Sequence, residues 1–536
     1  MPSSVFSFIT EQACRHPENV ALEHREDVTT YRALEAACIH FAGGYFLAGL
    51  DRGTRVGIYL PKCVEAVTAS FGTLGCGGCM VPMHPALKSL QVNHILKDCG
   101  IELLVTTSHR LMALRDTLQH CDSLRHVVLT DTVPELPENL PPALRVDRWQ
   151  SFCSKPGGPL AGDLPETGLA AIFYTSGSTG KPKGVVLNHR NLRMGAQSVA
   201  AYLGNTANDR ILSVLPFSFD YGFSQLTTAF CVGATLVLHD YLLPTDVMKA
   251  LEMNRITGLA AVPSLWQQLV RLEWPAKVQK TLRYITSSGD ILPEATVRKL
   301  AKKLPGSDIY LMYGLTEAFR STYLPPDEVL RRPASIGKAI PHAEIRIVHE
   351  DGSLCRPGEV GELVHRGPLV AQGYWNDPDK TAERFRPLHS GPGHVQDLNG
   401  REVWSGDLVR QDQDGYLYFV GRKDDMIKTS GYRISPAEIE EPAGMHHSVR
   451  EAVAFGVAHP DRGQAVCLVY TTDQDSEKTE KELEGYLKTV LPFYMLPVRY
   501  LRMNEIPRNT HGKIDRKELS ARYHSMCLPE PQHGHD

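Results

Sequence analysis

The sequence predicts an α/β protein. It reads as a large N-terminal domain of two helix-covered β-sheet subdomains plus a small β-barrel subdomain, followed by a small α+β C-terminal domain. Three observations predict this. The first third alternates apolar, strand-length runs with segments of helical spacing. Residues 336–404 change to short strands broken by frequent turns, as in a small barrel or sandwich. After Asp424 a fresh alternation of helix and strand fills about a hundred residues, the size of a separate unit. The 536 residues are too many for one compact core and correspond to about three to four folding units.

In order along the chain, residues 55–60 read as a strand and 66–74 as a helix. Strands follow at 103–105 and 127–129, the pattern of a parallel sheet covered by helices. Residues 155–167 are rich in Pro and Gly and read as a linker. Residues 185–187, 214–215, 235–238 and 284–286 look like further strands, and 262–272 has helical spacing. Short strands are expected at 344–348, 361–365 and 373–375. The domain boundaries follow as 1–423 and 424–525, with 526–536 expected to be a disordered tail.

Composition narrows the function classes. Hydrophobic residues make up 42% and charged residues 22%, with a net charge of -4. That balance offers no basic field for nucleic acid and no reason to expect long disorder. No apolar run approaches the ~20 residues that span a bilayer, and the chain opens without the basic and apolar regions of a signal peptide. The expected setting is therefore cytoplasmic. The 12 cysteines are scattered through apolar segments without a disulfide spacing. Cys76 and Cys79 supply two of the four ligands that a tetrahedral zinc site needs, so they read as buried thiols. Adjacent His446 and His447 point about 100° apart on a helix and are expected at the surface.

Residues 174–184 read Tyr-Thr-Ser-Gly-Ser-Thr-Gly-Lys-Pro-Lys-Gly, dense in glycine, hydroxyl and lysine. Glycines let the backbone approach an anion, successive N–H groups can converge on phosphate oxygens, and hydroxyls and lysines add donors and charge. A Walker loop is excluded, because Gly180-Lys181 runs into Pro182 where Ser or Thr is required and Thr175 stands at the upstream glycine position. Proline and the strand that follows make this loop a link from strand to strand.

The loop resembles the signature of the adenylate-forming superfamily, which includes acyl-CoA synthetases, peptide-synthetase adenylation domains and firefly luciferase. Five further stations in that superfamily's order support the resemblance. It implies that Thr175, Ser176, Gly177, Ser178, Thr179, Gly180 and Lys183 hold phosphates of ATP. The segment 287–293, with Gly289 and Asp290, lines the adenine pocket, although Asp290 stands where relatives often carry Gly or Glu. In 313–317, Tyr313 packs on adenine next to Gly314, Thr316 binds phosphate and Glu317 binds Mg²⁺. Asp407 accepts the ribose hydroxyls, Arg422 sits at ribose and phosphate, and Asp424 is the hinge of a mobile C-terminal lid. Lys428 and Gly431 line the entry tunnel of a pantetheine thiol. Lys513 is the catalytic lysine, its ammonium suited to bridging carboxylate and α-phosphate as charge develops.

The reaction so implied is ATP-dependent, AMP-forming ligation of a small carboxylic acid to a thiol, that of coenzyme A or of a free-standing carrier protein's phosphopantetheine. Phe219, Asp220, Tyr221 and Gly314 are the candidate acid-binding residues. Peptide-synthetase adenylation domains carry Phe-Asp where many acyl-CoA synthetases carry Phe-His, and a carboxylate facing an apolar pocket is costly unless paired. Asp220 therefore hints at an amino-bearing acid, and the alternative is that it turns away from the substrate. Residues 312–326 also resemble ligases found with exosortase and exopolysaccharide gene clusters, which does not identify the acid. Two other classes stay open: an adenylating enzyme with a non-thiol acceptor, and a nucleotide-binding regulator without turnover. The regulator predicts loss of Glu317, Asp407 or Lys513, and all three are present.

Overall fold

The computed structural model describes residues 4–131, 140–154, 157, 160, 164–175, 182–388, 400–422, 426–473, 476–507 and 516–523. Among them, an eight-stranded sheet runs in the order Gly373–Tyr374, Lys183–Asn188, Leu169–Thr175, Cys79–Pro82, Arg55–Ile58, Leu103–Thr106, His126–Leu129, Arg145–Arg148. Its pairings from Leu169–Thr175 to Arg145–Arg148 are parallel. Cys79–Pro82, Leu103–Thr106 and His126–Leu129 are buried along their whole length, as expected where helices cover both faces. Leu169–Thr175 is buried in its middle and half-buried at its two ends. The candidate phosphate loop joins Leu169–Thr175 to Lys183–Asn188 as an antiparallel pair. It thus links strand to strand, as Pro182 implies.

A second sheet is built on parallel strands Thr235–Leu238, Arg210–Ser213, Gly258–Ala261, Tyr284–Ser287 and Asp308–Tyr313. It continues through antiparallel strands Thr322–Leu324, Ser335–Ala339, Leu417–Arg422, Arg401–Gln411, Val360–Arg366 and Glu344–Val348. The small β unit is therefore hydrogen-bonded onto the edge of the second sheet. Two helices, Val64–Cys76 and Asp220–Val232, bury almost every residue in the layer where Phe71 stacks on Phe223 with ring centroids 6.0 Å apart. The first ends at Gly77, φ 77°, the left-handed residue that closes many helices. A separate five-stranded sheet opens with Ile427–Thr429 and carries the C-terminal unit.

Four expectations are corrected. The strand expected at 214–215 ends at Ser213; Pro216 has no N–H to extend a ladder, and the chain turns there toward the next helix. The helix expected over 262–272 is Pro263–Leu269. The strand Gly373–Tyr374 pairs with Val186 and Val185 of the first sheet, so it joins the phosphate-loop hairpin and leaves the small β unit. His446 is buried beside Tyr486 while His447 is exposed, and both lie in the turn after the helix Pro436–Gly444 rather than on a helix. Cys76 and Cys79 are buried free thiols. No helix among the described residues is long and apolar enough to cross a membrane.

Candidate active site

Two adjoining open cavities, of about 970 and 1400 Å³, lie where the two sheets meet the C-terminal unit. They share a wall formed by Phe219, Asp220, Thr316 and Gly431. The first gathers Tyr221, Gly289, Asp290, Tyr313, Gly314, Asp407 and Lys428, and the second gathers Thr175, Lys183 and Glu317. Sequence positions from 175 to 431 thus converge on one cleft. Ser176, Gly177, Ser178, Thr179, Gly180, Asp424 and Lys513 lie outside the described residues. Arg422 pairs opposite Asp407 in the strand ladder, and its side chain is likewise outside what is described.

A strand end and the turn after it place Tyr313, Thr316 and Glu317, and Asp407 lies inside the strand Arg401–Gln411. Tyr313 closes the strand Asp308–Tyr313, and a short turn, Thr316–Ala318, follows it. Tyr313 OH donates to Asp407 Oδ2 at 2.6 Å, which fixes a carboxylate that is only 2% exposed. Glu317 is oriented by Tyr374 OH, which donates to its Oε1 at 2.7 Å. The Lys183 ammonium sits 4.6 Å from the centre of the Tyr374 ring. Burial pushes that ammonium below its ordinary range, and the charge of Glu317 pulls it back up. A carboxylate, a hydroxyl and a lysine on one cavity wall fit a Mg²⁺–triphosphate, since magnesium takes one or two carboxylates and keeps phosphate oxygens. A buried carboxylate at the other cavity fits a vicinal diol.

Asp220 opens the helix Asp220–Val232, where the helix dipole favours a negative charge. Its Oδ2 lies 3.0 Å from Arg320 Nη1, and both side chains are almost fully buried. Arg320 Nη2 also donates to Ser224 Oγ at 2.9 Å, and its guanidinium lies 4.9 Å from the Tyr221 ring centre. Burial still raises the Asp220 carboxyl above the usual range, with Arg320 acting against it. The countercharge is therefore internal. With Arg320 in place, Asp220 no longer calls for an amine on the substrate.

The C-terminal unit seats on the cleft through several contacts. Tyr432 OH lies 3.0 Å from His84 Nε2, and the Tyr494 ring, stacked on Tyr432 within the unit, meets the His84 ring edge-on with centroids 5.6 Å apart. Gln91 donates to the Val490 carbonyl at 2.8 Å, and Arg271 pairs with Asp461. Asp290 faces this seam: burial raises its carboxyl, and the Lys428 charge works against it. Gly431 has φ 84°, and a Cβ there would lie 2.6 Å from Val262 Cγ1, so only glycine fits both the backbone and the space. Gly431→Leu is expected to unseat the unit. Small-angle scattering should then report a larger radius of gyration, and an unchanged curve would mean the seam accommodates the side chain.

Arg320, Tyr374, His84, Tyr432 and Tyr494 are site residues that reading the sequence missed. Their partners stand 100, 57 and 348 positions away in the Arg320–Asp220, Tyr374–Glu317 and Tyr432–His84 pairs. No local pattern encodes such pairings. A buried carboxylate at 220 was a signal that some cation must be found.

A family profile of AMP-binding enzymes matches residues 9–375, and that of the AMP-binding enzyme C-terminal domain matches 438–513. Gramicidin S synthase 2 of Brevibacillus brevis is 30% identical over 95% of this chain, which covers 11% of that protein. The chain thus spans about a tenth of the length of such peptide synthetases. The long-chain-fatty-acid–CoA ligase of Bacillus subtilis (strain 168) is 26% identical over 96% of this chain and 93% of its own. Among solved structures, a double mutant of o-succinylbenzoate CoA synthetase from Bacillus subtilis, bound with its product analogue, superposes with a TM-score of 0.83 at 25% identity, covering 97% of this chain and 98% of that one. The same enzyme with its acyl-adenylate intermediate gives 0.68 at 26% identity and the same coverage. The amide bond synthetase McbA of Marinactinospora thermotolerans shares the fold, with a TM-score of 0.83 at 23% identity over 97% and 99% of the two chains. With its N-terminal and C-terminal portions both matched and its motifs gathered on one cleft, the chain belongs to the AMP-binding, adenylate-forming enzymes.

Proposed function

We propose that the protein is an ATP-dependent, AMP-forming acid–thiol ligase acting in the cytoplasm, with a substrate domain over 1–423, a mobile lid over 424–525 and a tail over 526–536. The observation that carries this reading is that Lys428 and Gly431 of the C-terminal unit share a cavity wall with Asp220, Tyr313 and Asp407. A unit that only closed over nucleotide would have no need of a glycine pressed against Val262. In this reading Asp407 takes the ribose, residues 175–180 with Lys183 and Thr316 take the phosphates, and Tyr313 flanks the adenine. Glu317 would hold Mg²⁺, which supplies charge neutralisation when bound. Arg422 adds a cation at the ribose and phosphate, Lys513 adds one from the lid, and Asp424 is the hinge.

The acid lies against Phe219, Tyr221 and Gly314. Because Arg320 neutralises Asp220, the acid is uncharged at the atoms that face this pair: a fatty or aryl acid fits better than an amino acid. The acceptor is the pantetheine thiol of coenzyme A or of a carrier protein. Support for that choice comes from the shape of the chain, which follows the CoA-product complex of o-succinylbenzoate CoA synthetase more closely than the adenylate complex of the same enzyme.

Pyrophosphate exchange across fatty, aryl and amino acids, followed by AMP release with and without pantetheine, tests both parts. The expected result is exchange with a fatty or aryl acid and AMP release that depends on the thiol. Release that needs an added amine, or only water, would replace the thiol reading by a non-thiol acceptor. Exchange confined to amino acids and lost in Asp220→Asn would restore the amine.

A further inference from the structure

Thioester formation needs a group to accept the thiol's proton, and the titratable groups lining the second cavity can be taken in turn. His84 is excluded by its hydrogen bonds. The Ala86 N–H donates to Nδ1 at 3.0 Å, so Nδ1 is the acceptor and Nε2 carries the proton toward Tyr432 OH, 3.0 Å away. Burial also lowers this imidazole to about 4, keeping it neutral. Asp220 is ion-paired with Arg320. Glu317 is held by Tyr374 and lies beside Lys183. Burial pushes the Tyr174, Tyr432 and Tyr494 hydroxyls far above their ordinary range, and the Tyr374 hydroxyl is committed to Glu317.

Glu438 remains. It lies in the first turn of the helix Pro436–Gly444, lines the same cavity as Gly431 and Tyr432 and is 8% exposed. Among the described residues its one hydrogen-bond donor is the Ser435 N–H, 3.0 Å from Oε2. We propose that Glu438 is the general base of thioester formation, accepting the thiol proton as the sulfur attacks the acyl carbon. The inference rests on the acid–thiol reading above. In this step the sulfur–carbon bond forms, the bond from acyl carbon to phosphate oxygen breaks, AMP leaves with the electron pair, and the proton resides on Glu438 until water removes it.

The surroundings suit that task. Burial, with a smaller push from Glu441 on the same helix and against the Ser435 N–H, raises the Glu438 carboxyl to about 8, near the operating pH at which a general base is most effective and close to the ~8.5 of an alkyl thiol such as cysteine. The other groups facing it are Tyr494 on the turn Phe493–Met495, Tyr432 and Arg433 on the strand Tyr432–Ile434, and His84, Lys183, Glu317 and Arg384 across the cavity. A capping role alone would make Glu438 a structural residue, so the test must separate the two. Glu438→Gln keeps an oxygen for the Ser435 N–H and removes the basicity.

The experiment uses the acid giving the strongest exchange, with pantetheine and with the more acidic trifluoroethanethiol. In the wild type, thioester formation should rise with pH through about 8. In Glu438→Gln, the ratio of thioester formation to exchange should fall about 10²-fold, the rising limb should move to the ionisation of the thiol itself, and the acidic thiol should recover at least part of the rate. An unchanged ratio and profile, or an equal loss of both half-reactions without rescue, would overturn the proposal. A wild type that adenylates but gives no thioester with either thiol sinks the acid–thiol reading, and the base with it.

Discussion

Lys513→Met is expected to cut acyl-adenylate formation by roughly 10²–10³-fold, the scale of losing one preorganised charge at a developing anion, while thioester formation from supplied adenylate stays within a few-fold. Attack of a carboxylate on the α-phosphate brings two anions together, and a compact ammonium on a flexible stem can sit between them as charge builds up. Methionine matches the length of the stem and removes only the charge. Selectivity between half-reactions follows from the seat of the C-terminal unit. The described arrangement presents Lys428 and Gly431 to the cleft, which suits the second step, and under the proposed alternation a lysine needed only for the first acts from another arrangement. Pyrophosphate exchange measures the first step and thioester yield from added adenylate the second. Undiminished exchange in the variant would remove Lys513 from the chemistry, and equal loss of both steps would make its role structural.

What could be read from the sequence divides along a physical line. The motif residues Tyr313, Gly314, Thr316, Glu317 and Asp407 do gather on one cleft with Thr175 and Lys183; all but Asp407, which lies inside the strand Arg401–Gln411, sit at a strand end or in the turn just after it, where short local patterns decide the structure. Strand positions such as 103–105 and 235–238 were legible for the same reason: buried parallel strands are runs of branched and apolar residues. The membership of the strand Gly373–Tyr374 was not legible, since its partner lies in a hairpin nearly two hundred positions earlier. Asp220 shows the same limit at the site. That a carboxylate beside an apolar pocket needs a partner was legible, but its burial and its partner were not, since Arg320 stands 100 positions away. A buried charge read without its partner leaves the ligand undecided, because the partner bears on whether the pocket asks for a cation.

Arg320→Met is expected to destabilise the N-terminal domain by about 3–5 kcal/mol, the cost of leaving a buried ion uncompensated. The Arg320 guanidinium is 3% exposed and Asp220 6%, so water cannot replace the lost partner. The backbone just before Arg320 points the same way. Phe319 holds φ 57°, an uncommon conformation for a bulky side chain that costs about 1–3 kcal/mol. Its ring fills the notch left by Gly195. The chain bears this strain where it aims Arg320 at Asp220, so the ion pair is what the local backbone is shaped to make. The sign with pH follows from the raised Asp220 carboxyl. A raised folded value favours the protonated form in the fold, so its stabilising contribution is complete below the unfolded value of about 4 and declines as pH rises toward the folded value. Removing Arg320 raises the folded value further and widens that window, so the loss in the variant should be larger at pH 8 than at pH 5. Urea unfolding can be followed by Trp266, whose indole N–H donates to the Thr286 carbonyl next to Tyr221 OH on the Thr286 hydroxyl. Arg320→Met with Asp220→Asn should recover most of the stability and lose the pH dependence, because no buried charge remains. A single variant within about 1 kcal/mol of the wild type at pH 8 would mean that Asp220 is already neutral in the fold, and the cleft would then offer the acid a hydrogen-bond donor in place of an ion pair.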